Sequence, residues 1–205
     1  MDKSRNILEK GLLELDIAAS TEQVEQLLAF VALIEKWNKT YNLTAIRDRE
    51  EILRLHILDS LALMSFVSGK KIADIGTGAG LPGIPLAIFM LQQKFVLVDS
   101  NAKKTRFVQQ VILELKLTNV EVVHGRVEEL KRSNEFDAVL SRAFASLNDI
   151  MAWAEYLLQP NGVLIAMKGQ VPKEELDKLL CPYSVDMIAV PGVAAERCVV
   201  RINKT

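Results

Sequence analysis

The chain has 205 residues, half of them apolar and a quarter charged, with 25 Lys and Arg against 26 Asp and Glu for a formal net charge of −1. This suits one globular domain with at most a small helical appendage. The charge balance argues against whole-molecule attraction to nucleic acid but leaves a local basic face open, so it does not exclude an RNA partner. Cys181 and Cys198 have neither metal spacing nor a CxxC pattern, so reduced thiols in or near the core and no metal site are expected. No apolar run reaches the roughly 18 residues a bilayer span needs, and Asp2, Glu9 and Glu14 interrupt any signal-like start. The expectation is a soluble, cytoplasmic protein with no membrane partner.

Apolar residues Ile7, Leu8, Leu12, Leu13 and Leu15 recur at helical spacing over residues 5–17. Ser20 followed by Gln23 is a capping-box signature. It opens a helix carrying Val24, Leu27, Leu28, Val31 and Ile34 that ends near Trp37. A polar hinge follows over residues 38–44. Asp48, with Glu51 at N3, then caps a helix running through His56, Asp59 and Ser60 to about Val67. From Lys71 onward strands (71–75, 94–98, 120–124, 136–141, 163–168, 183–190, 198–202) alternate with helices (82–91, 102–115, 147–158, 173–180). That alternation predicts an α/β fold with a mostly parallel sheet covered by helices on both faces. Only Pro191-Gly192 and neighbours separate the last two strands, which predicts an antiparallel hairpin at one edge. Residues 1–67 read as a helical cap on a core of residues 68–205, the two forming one compact unit.

Residues 71–83 organise the chain: a short apolar strand, Asp74, glycines at Gly76, Gly78 and Gly80, then Leu81, Pro82 and Gly83 at a helix start. Glycines at such a turn permit positive φ and a close approach to bare backbone. Gly78 to Gly83 satisfies GxGxxG literally, so a dinucleotide site is one reading. In that site, however, the glycines lead straight into the helix that receives the pyrophosphate. Here they begin at Gly76, with Asp74 just ahead and Pro82 and Pro85 just behind. Pro82 suits helical N1, but the proline pair is unusual for a phosphate cradle. The pattern fits better a loop for S-adenosylmethionine, which carries no phosphate and needs a carboxylate near its amino-acid part.

Asp99 and Ser100 end the second strand, where an acidic residue takes both ribose hydroxyls of either cofactor, or caps the next helix, for which Asn101 is the better cap. After the third strand, the backbone of Val127 and Glu128 lies where an adenine would be read. His56 and His124 read as structural more readily than as general bases. The fourth strand ends in Ser141-Arg142-Ala143, where many amino-group methyltransferases carry an Asn/Asp-Pro-Pro-aromatic motif. An arginine there suits an anionic or guanine-bearing substrate. Lys168 ends the fifth strand.

At this point the sequence resembles a family, the bacterial small-subunit ribosomal RNA guanine-N7 methyltransferases (glucose-inhibited division protein B). Residues 38–46, 56–61, 74–88, 125–130 and 141–143 carry the resemblance, which covers nearly the full length. Leu55, where many relatives carry arginine, departs from the pattern and weakens any basic role at that point. The resemblance implies a class I, Rossmann-like methyltransferase fold and methyl transfer from S-adenosylmethionine to N7 of one guanine, position 527, in 16S ribosomal RNA. It implies cofactor contacts at Gly76, Leu81, Val127, Glu128 and Arg142, to which Asp74, Gly78, Gly80, Asp99 and Ser100 are added from the strand-end reading. The implied partner is 16S RNA or the small ribosomal subunit, met by a monomer. Guanine N7 has a free lone pair, so no general base is expected. Arg142 is expected to position the reactants through the cofactor, a phosphate or O6, since its usual fork on O6 and N7 is unavailable during transfer. Candidate RNA-binding cations flanking the pocket are Lys39, Arg47, Arg49, Lys103, Lys104, Arg106, Arg126, Lys168 and Arg197, of which Lys103, Lys104, Arg126, Lys168 and Arg197 are the expected substrate contacts. Tyr41 and Trp37 are candidates for base stacking, Trp37 fitting the core better. A small-molecule or protein methyltransferase and an NAD-dependent oxidoreductase remain as alternatives.

Overall fold

The computed structural model describes residues 3–142 and 145–204. Helix α1 (Lys3–Glu14) leads to α2 (Thr21–Tyr41). The capping box that opens α2 is complete: Ser20 Oγ accepts from Gln23 N at 3.2 Å, and the Gln23 side chain accepts from Ser20 N at 2.9 Å. The predicted hinge is mostly helix. α2 continues to Tyr41 and ends at Asn42, which adopts φ 48°. Asn38, read as polar hinge, is buried; its side chain accepts from Thr44 N at 3.0 Å and donates to the Ile46 carbonyl at 3.2 Å. The polar residues thus pin the loop that follows. Trp37 packs edge-on against Phe107 at 5.6 Å between ring centroids.

The single helix expected over 48–67 is broken into α3 (Arg49–Ile52), a wide π turn (Leu53–Leu58), α4 (Asp59–Leu61) and a 3-10 turn (Met64–Phe66). Asp48 caps it as expected, accepting from Glu50 N and Glu51 N at 3.0 and 2.9 Å. The apolar period does not betray the break, because Leu53, Ile57, Leu58 and Leu61 are all buried through it.

Seven strands follow: β1 (Lys71–Ile75), β2 (Lys94–Asp99), β3 (Val120–His124), β4 (Phe136–Arg142), β5 (Leu158–Lys168), β6 (Tyr183–Ile188) and β7 (Arg197–Asn203). Their order is β3-β2-β1-β4-β5-β7-β6, with β7 antiparallel to both its neighbours and the other pairings parallel. The expected hairpin of β6 and β7 forms, and β7 is its inner strand. Helices α5 (Gly83–Phe89), α6 (Ala102–Glu114), α7 (Leu147–Leu157) and α8 (Lys173–Leu176) complete the chain. Pro82 caps α5 from outside and is not its first helical residue. α8 stops short of the expected Leu180, whose side chain lies in solvent and so gives further turns nothing to bury.

Alternate strand residues face two apolar layers. Ile72, Leu97, Leu140 and Val199 join the layer containing the N-terminal helices, α5 and α6. Ala73, Val98, Val139 and Val200 face the layer under α7. The sheet is therefore buried on both faces, and the polar ends of its strands are left as the place for chemistry.

Candidate functional site

In an open α/β sheet, ligands sit outside the carboxyl ends of the strands where the strand order reverses. Here that point lies between β1 and β4. Gly76, Gly78 and Gly80 at the end of β1 have φ of 66°, 61° and 79°, the left-handed region that side chains other than glycine's resist. Two buried carboxylates fasten this turn. Asp74 Oδ2 accepts from Thr77 Oγ1 at 2.6 Å and from Gly83 N at 2.9 Å. Asp99 accepts from Gly78 N at 2.9 Å and from Asn101 N at 2.8 Å. Burial pushes the Asp74 carboxyl up from 3.8 to about 6 against those two hydrogen bonds and Arg142, while Asp99 pushes it the same way as burial.

A Cβ on Gly83 would lie 2.8 Å from Asp74 Oδ2 and 2.9 Å from Leu97 Cγ, both in the core. Gly83→Ala is therefore expected to cost about 2 kcal/mol by overpacking. For a chain of this size that lowers the melting temperature by roughly 4–8 °C. A thermal melt unchanged from wild type would contradict this packing.

Two cavities open beside the turn and share Gly76. The larger, of about 560 Å³, is lined by Gly76, Gly78, Leu81 and Arg142 among the expected cofactor residues. The smaller, of about 340 Å³, is lined by Gly76, Asp99, Ser100, Val127 and Glu128. Asp74 and Gly80 line neither. Asp74 is an internal fastener, and Gly80 is packed so that a Cβ would meet Ile84 at 2.6 Å. Of the expected RNA-binding cations, Lys104, Lys168 and Arg197 line the larger cavity and Arg126 the smaller, whereas Lys103, in the first turn of α6, lines neither.

The cations differ in what they have left to give. Lys168 Nζ donates to the Ala145 carbonyl at 2.9 Å and to both Glu175 oxygens at 3.0 and 3.2 Å. Its three donors are taken within the fold, and the pair with Glu175 ties β5 to α8. Arg142 Nη1 donates to Asp59 Oδ2 at 3.2 Å and to the Leu55 carbonyl at 3.3 Å. Arg197 Nε donates to the other Asp59 oxygen at 2.8 Å. In sequence Asp59 is a carboxylate on a helix with nothing to mark it as functional, yet it is 3% exposed.

His56 is also buried in the wall of the larger cavity. Its Nδ1 lies 3.0 Å from the Leu55 carbonyl, which can only accept, so Nδ1 carries the proton. Nε2, 2.7 Å from Thr44 Oγ1, is then the acceptor of the threonine hydroxyl. Burial and Arg142 push the imidazole down from 6.5 to about 4, against Leu55 and Asp59. It is neutral and fully engaged, which fits the structural reading. His124 Nε2 likewise meets the Ser100 carbonyl at 3.1 Å. No group of His, Cys, Asp and Glu suited to a metal ion occurs among the described residues, and no described helix is long and apolar enough to cross a membrane.

The start of α5 decides which cofactor class fits. Gly83 N is held by Asp74, Ile84 N by the Gly80 carbonyl at 2.8 Å and Leu86 N by the Pro82 carbonyl at 3.2 Å, and Pro85 has no N–H. These donors, which would cradle a pyrophosphate, are already used. Strand order, reversed β7 and a glycine turn closed to phosphate define a class I, Rossmann-like methyltransferase fold. In agreement, a SAM-dependent methyltransferase from Aquifex aeolicus superposes with a TM-score of 0.59 over 76% of this chain and 93% of its own, at 17% identity. A predicted O-methyltransferase from Agrobacterium tumefaciens gives 0.59 over 71% and 80%, at 20% identity. The chain belongs to the rRNA small subunit methyltransferase G family (GidB), whose profile matches residues 23–197. Proteins named ribosomal RNA small subunit methyltransferase G from Nitrosococcus oceani and Idiomarina loihiensis are each 49% identical to it, covering 97% and 95% of this chain and 94% and 97% of their own length.

Proposed function

We propose that this chain transfers a methyl group from S-adenosylmethionine to N7 of a guanine, position 527, in the 16S RNA of the small ribosomal subunit. The identity of nearly one half over almost the whole of relatives named for that subunit's RNA carries the reading. The cofactor is bound across Gly76, its adenosine in the smaller cavity and its methionine part in the larger. The Asp99 carboxylate suits the ribose hydroxyls, and the Val127 and Glu128 backbone the adenine. The sulfonium supplies a methyl group with a good leaving group. The guanine N7 lone pair is free at neutral pH, so the residues have no proton to move, in keeping with a neutral, engaged His56. Their work is alignment and exclusion of water. Residues 1–67 act as a helical cap on the core of 68–205, and Lys104, Arg126 and Arg197 are the cations left to meet RNA in a monomeric enzyme.

Incubation with methyl-labelled cofactor and either 16S RNA or small subunits tests this, with the modified nucleoside identified afterwards. Label in 7-methylguanosine is expected; label in any other nucleoside or in protein alone overturns the reading. Calorimetry is expected to show binding of S-adenosylhomocysteine and none of NAD. NAD binding would restore the dinucleotide alternative.

A further inference from the structure

We infer that Asp59 is a positioning residue of the methyl-transfer site, fixing the guanidinium groups of Arg142 and Arg197 at the wall of the larger cavity; this rests on the methyltransferase reading above. The three residues come from distant parts of the chain. Asp59 opens α4 in the helical N-terminal region, Arg142 closes β4, and Arg197 opens β7. β4 and β7 flank β5, and because β7 runs backwards its first residue reaches the same sheet edge as the last residue of β4. All three side chains line the larger cavity.

Neither arginine is placed by its own strand. Each is a terminal residue with a long side chain whose rotamer freedom must be removed by something else. Asp59 is the anchor common to both, one oxygen to each, at 3.2 and 2.8 Å, beside one backbone carbonyl apiece, Leu55 for Arg142 at 3.3 Å and Glu196 for Arg197 at 2.9 Å. Its side chain is 4% exposed, against 18% and 19% for the arginines. An exposed pair would contribute little, but a carboxylate buried this deeply is strongly disfavoured unless partnered. Folding therefore selects the geometry in which both guanidiniums converge on it. Nη1 of Arg142 spends its hydrogens on Asp59 and the Leu55 carbonyl, and among the described residues Nε and Nη2 have no hydrogen-bond partner. Those donors stay available on a residue that lines the cavity.

A purely structural anchor would also be buried and paired, so the test separates aim from attachment. Affinity for S-adenosylhomocysteine is measured by calorimetry for wild type, Asp59→Asn, Arg142→Ala and the double variant, with melting temperatures in parallel. Asp59→Asn is expected to weaken binding about tenfold or more in the wild-type background. In the Arg142→Ala background Asp59 has only Arg197 left to fix, which is assigned to the RNA, so the same change is expected to cost cofactor affinity less than about threefold. Equal losses in both backgrounds, or no loss in either, overturn the positioning role. Should Asp59→Asn fail to fold, Asp59→Glu keeps the charge but moves the carboxylate outward by one methylene. About fivefold weaker binding at a near-native melting temperature is then expected, and wild-type affinity overturns the inference. A wild-type chain that binds no S-adenosylhomocysteine overturns the methyltransferase reading, and this inference with it.

Discussion

Replacing Arg142 by lysine is expected to lower turnover on the authentic RNA by about two orders of magnitude while the fold survives. The two effects separate because of what Arg142 does with each nitrogen. Nη1 faces Asp59 and the Leu55 carbonyl, at 3.2 and 3.3 Å, which leaves the rest of the planar fork for the cavity. A lysine ammonium keeps the charge opposite Asp59, so the buried carboxylate is not left alone and stability changes little. It is a point charge, however, and cannot face Asp59 and present a second, fixed set of donors to the cavity. Misplacement of reactants by about 1 Å is enough to cost roughly a hundredfold. Single-turnover rates with saturating cofactor read this directly, and a lysine variant at the wild-type rate would show that Arg142 does not align the reactants.

The glycine turn was legible because its first fastening is local: Asp74, Thr77 and Gly83 lie within nine residues of one another, and only Asp99 reaches it from the next strand. Strand positions were legible for a related reason, since alternation places Ile72 on one layer and Ala73 on the other whatever the neighbours are. What escaped depends on partners far along the chain. Arg142 reaches Asp59 across 83 residues and Arg197 reaches it across 138. Neither spacing leaves a mark on hydropathy. Lys168 could not be read as spent, because Glu175 belongs to a separate helix and sits within reach only once β5 and α8 have packed. Asn38 read as hinge because burial of an amide is visible only when the loop it pins is in place. The π turn at Leu53–Leu58 escaped for the opposite reason, as its apolar residues satisfy a helical period equally well.

Asp74 and His56 are expected to pull the stability of this fold in opposite directions over the same range of pH. Asp74 titrates at about 6 in the folded chain against 3.8 ordinarily. Between those values the folded protein keeps a proton that the unfolded chain has lost. Its contribution is therefore fully present below 3.8 and is lost as the pH rises through 6. His56 titrates at about 4 against 6.5. Here the unfolded chain takes up the proton first, so the contribution is present above 6.5 and is lost as the pH falls through 4. Each displacement is a little over two pH units, or about 3 kcal/mol at 1.36 kcal/mol per unit. In the wild type the two offset each other. Asp74→Asn keeps an oxygen for Thr77 and Gly83 but has nothing to titrate, leaving the His56 contribution uncovered. The variant should lose up to about 3 kcal/mol relative to wild type as the pH is lowered from 6.5 to 4. His56→Gln should show the reverse, gaining on the wild type over the same interval. Urea midpoints of the three proteins at pH 4.5, 5.5 and 6.5 measure both trends, with the exposed carboxylates common to all. If the Asp74→Asn and wild-type midpoints run parallel, the buried carboxyl is ionised in the fold well below pH 6, and Thr77, Gly83 and Arg142 outweigh its burial.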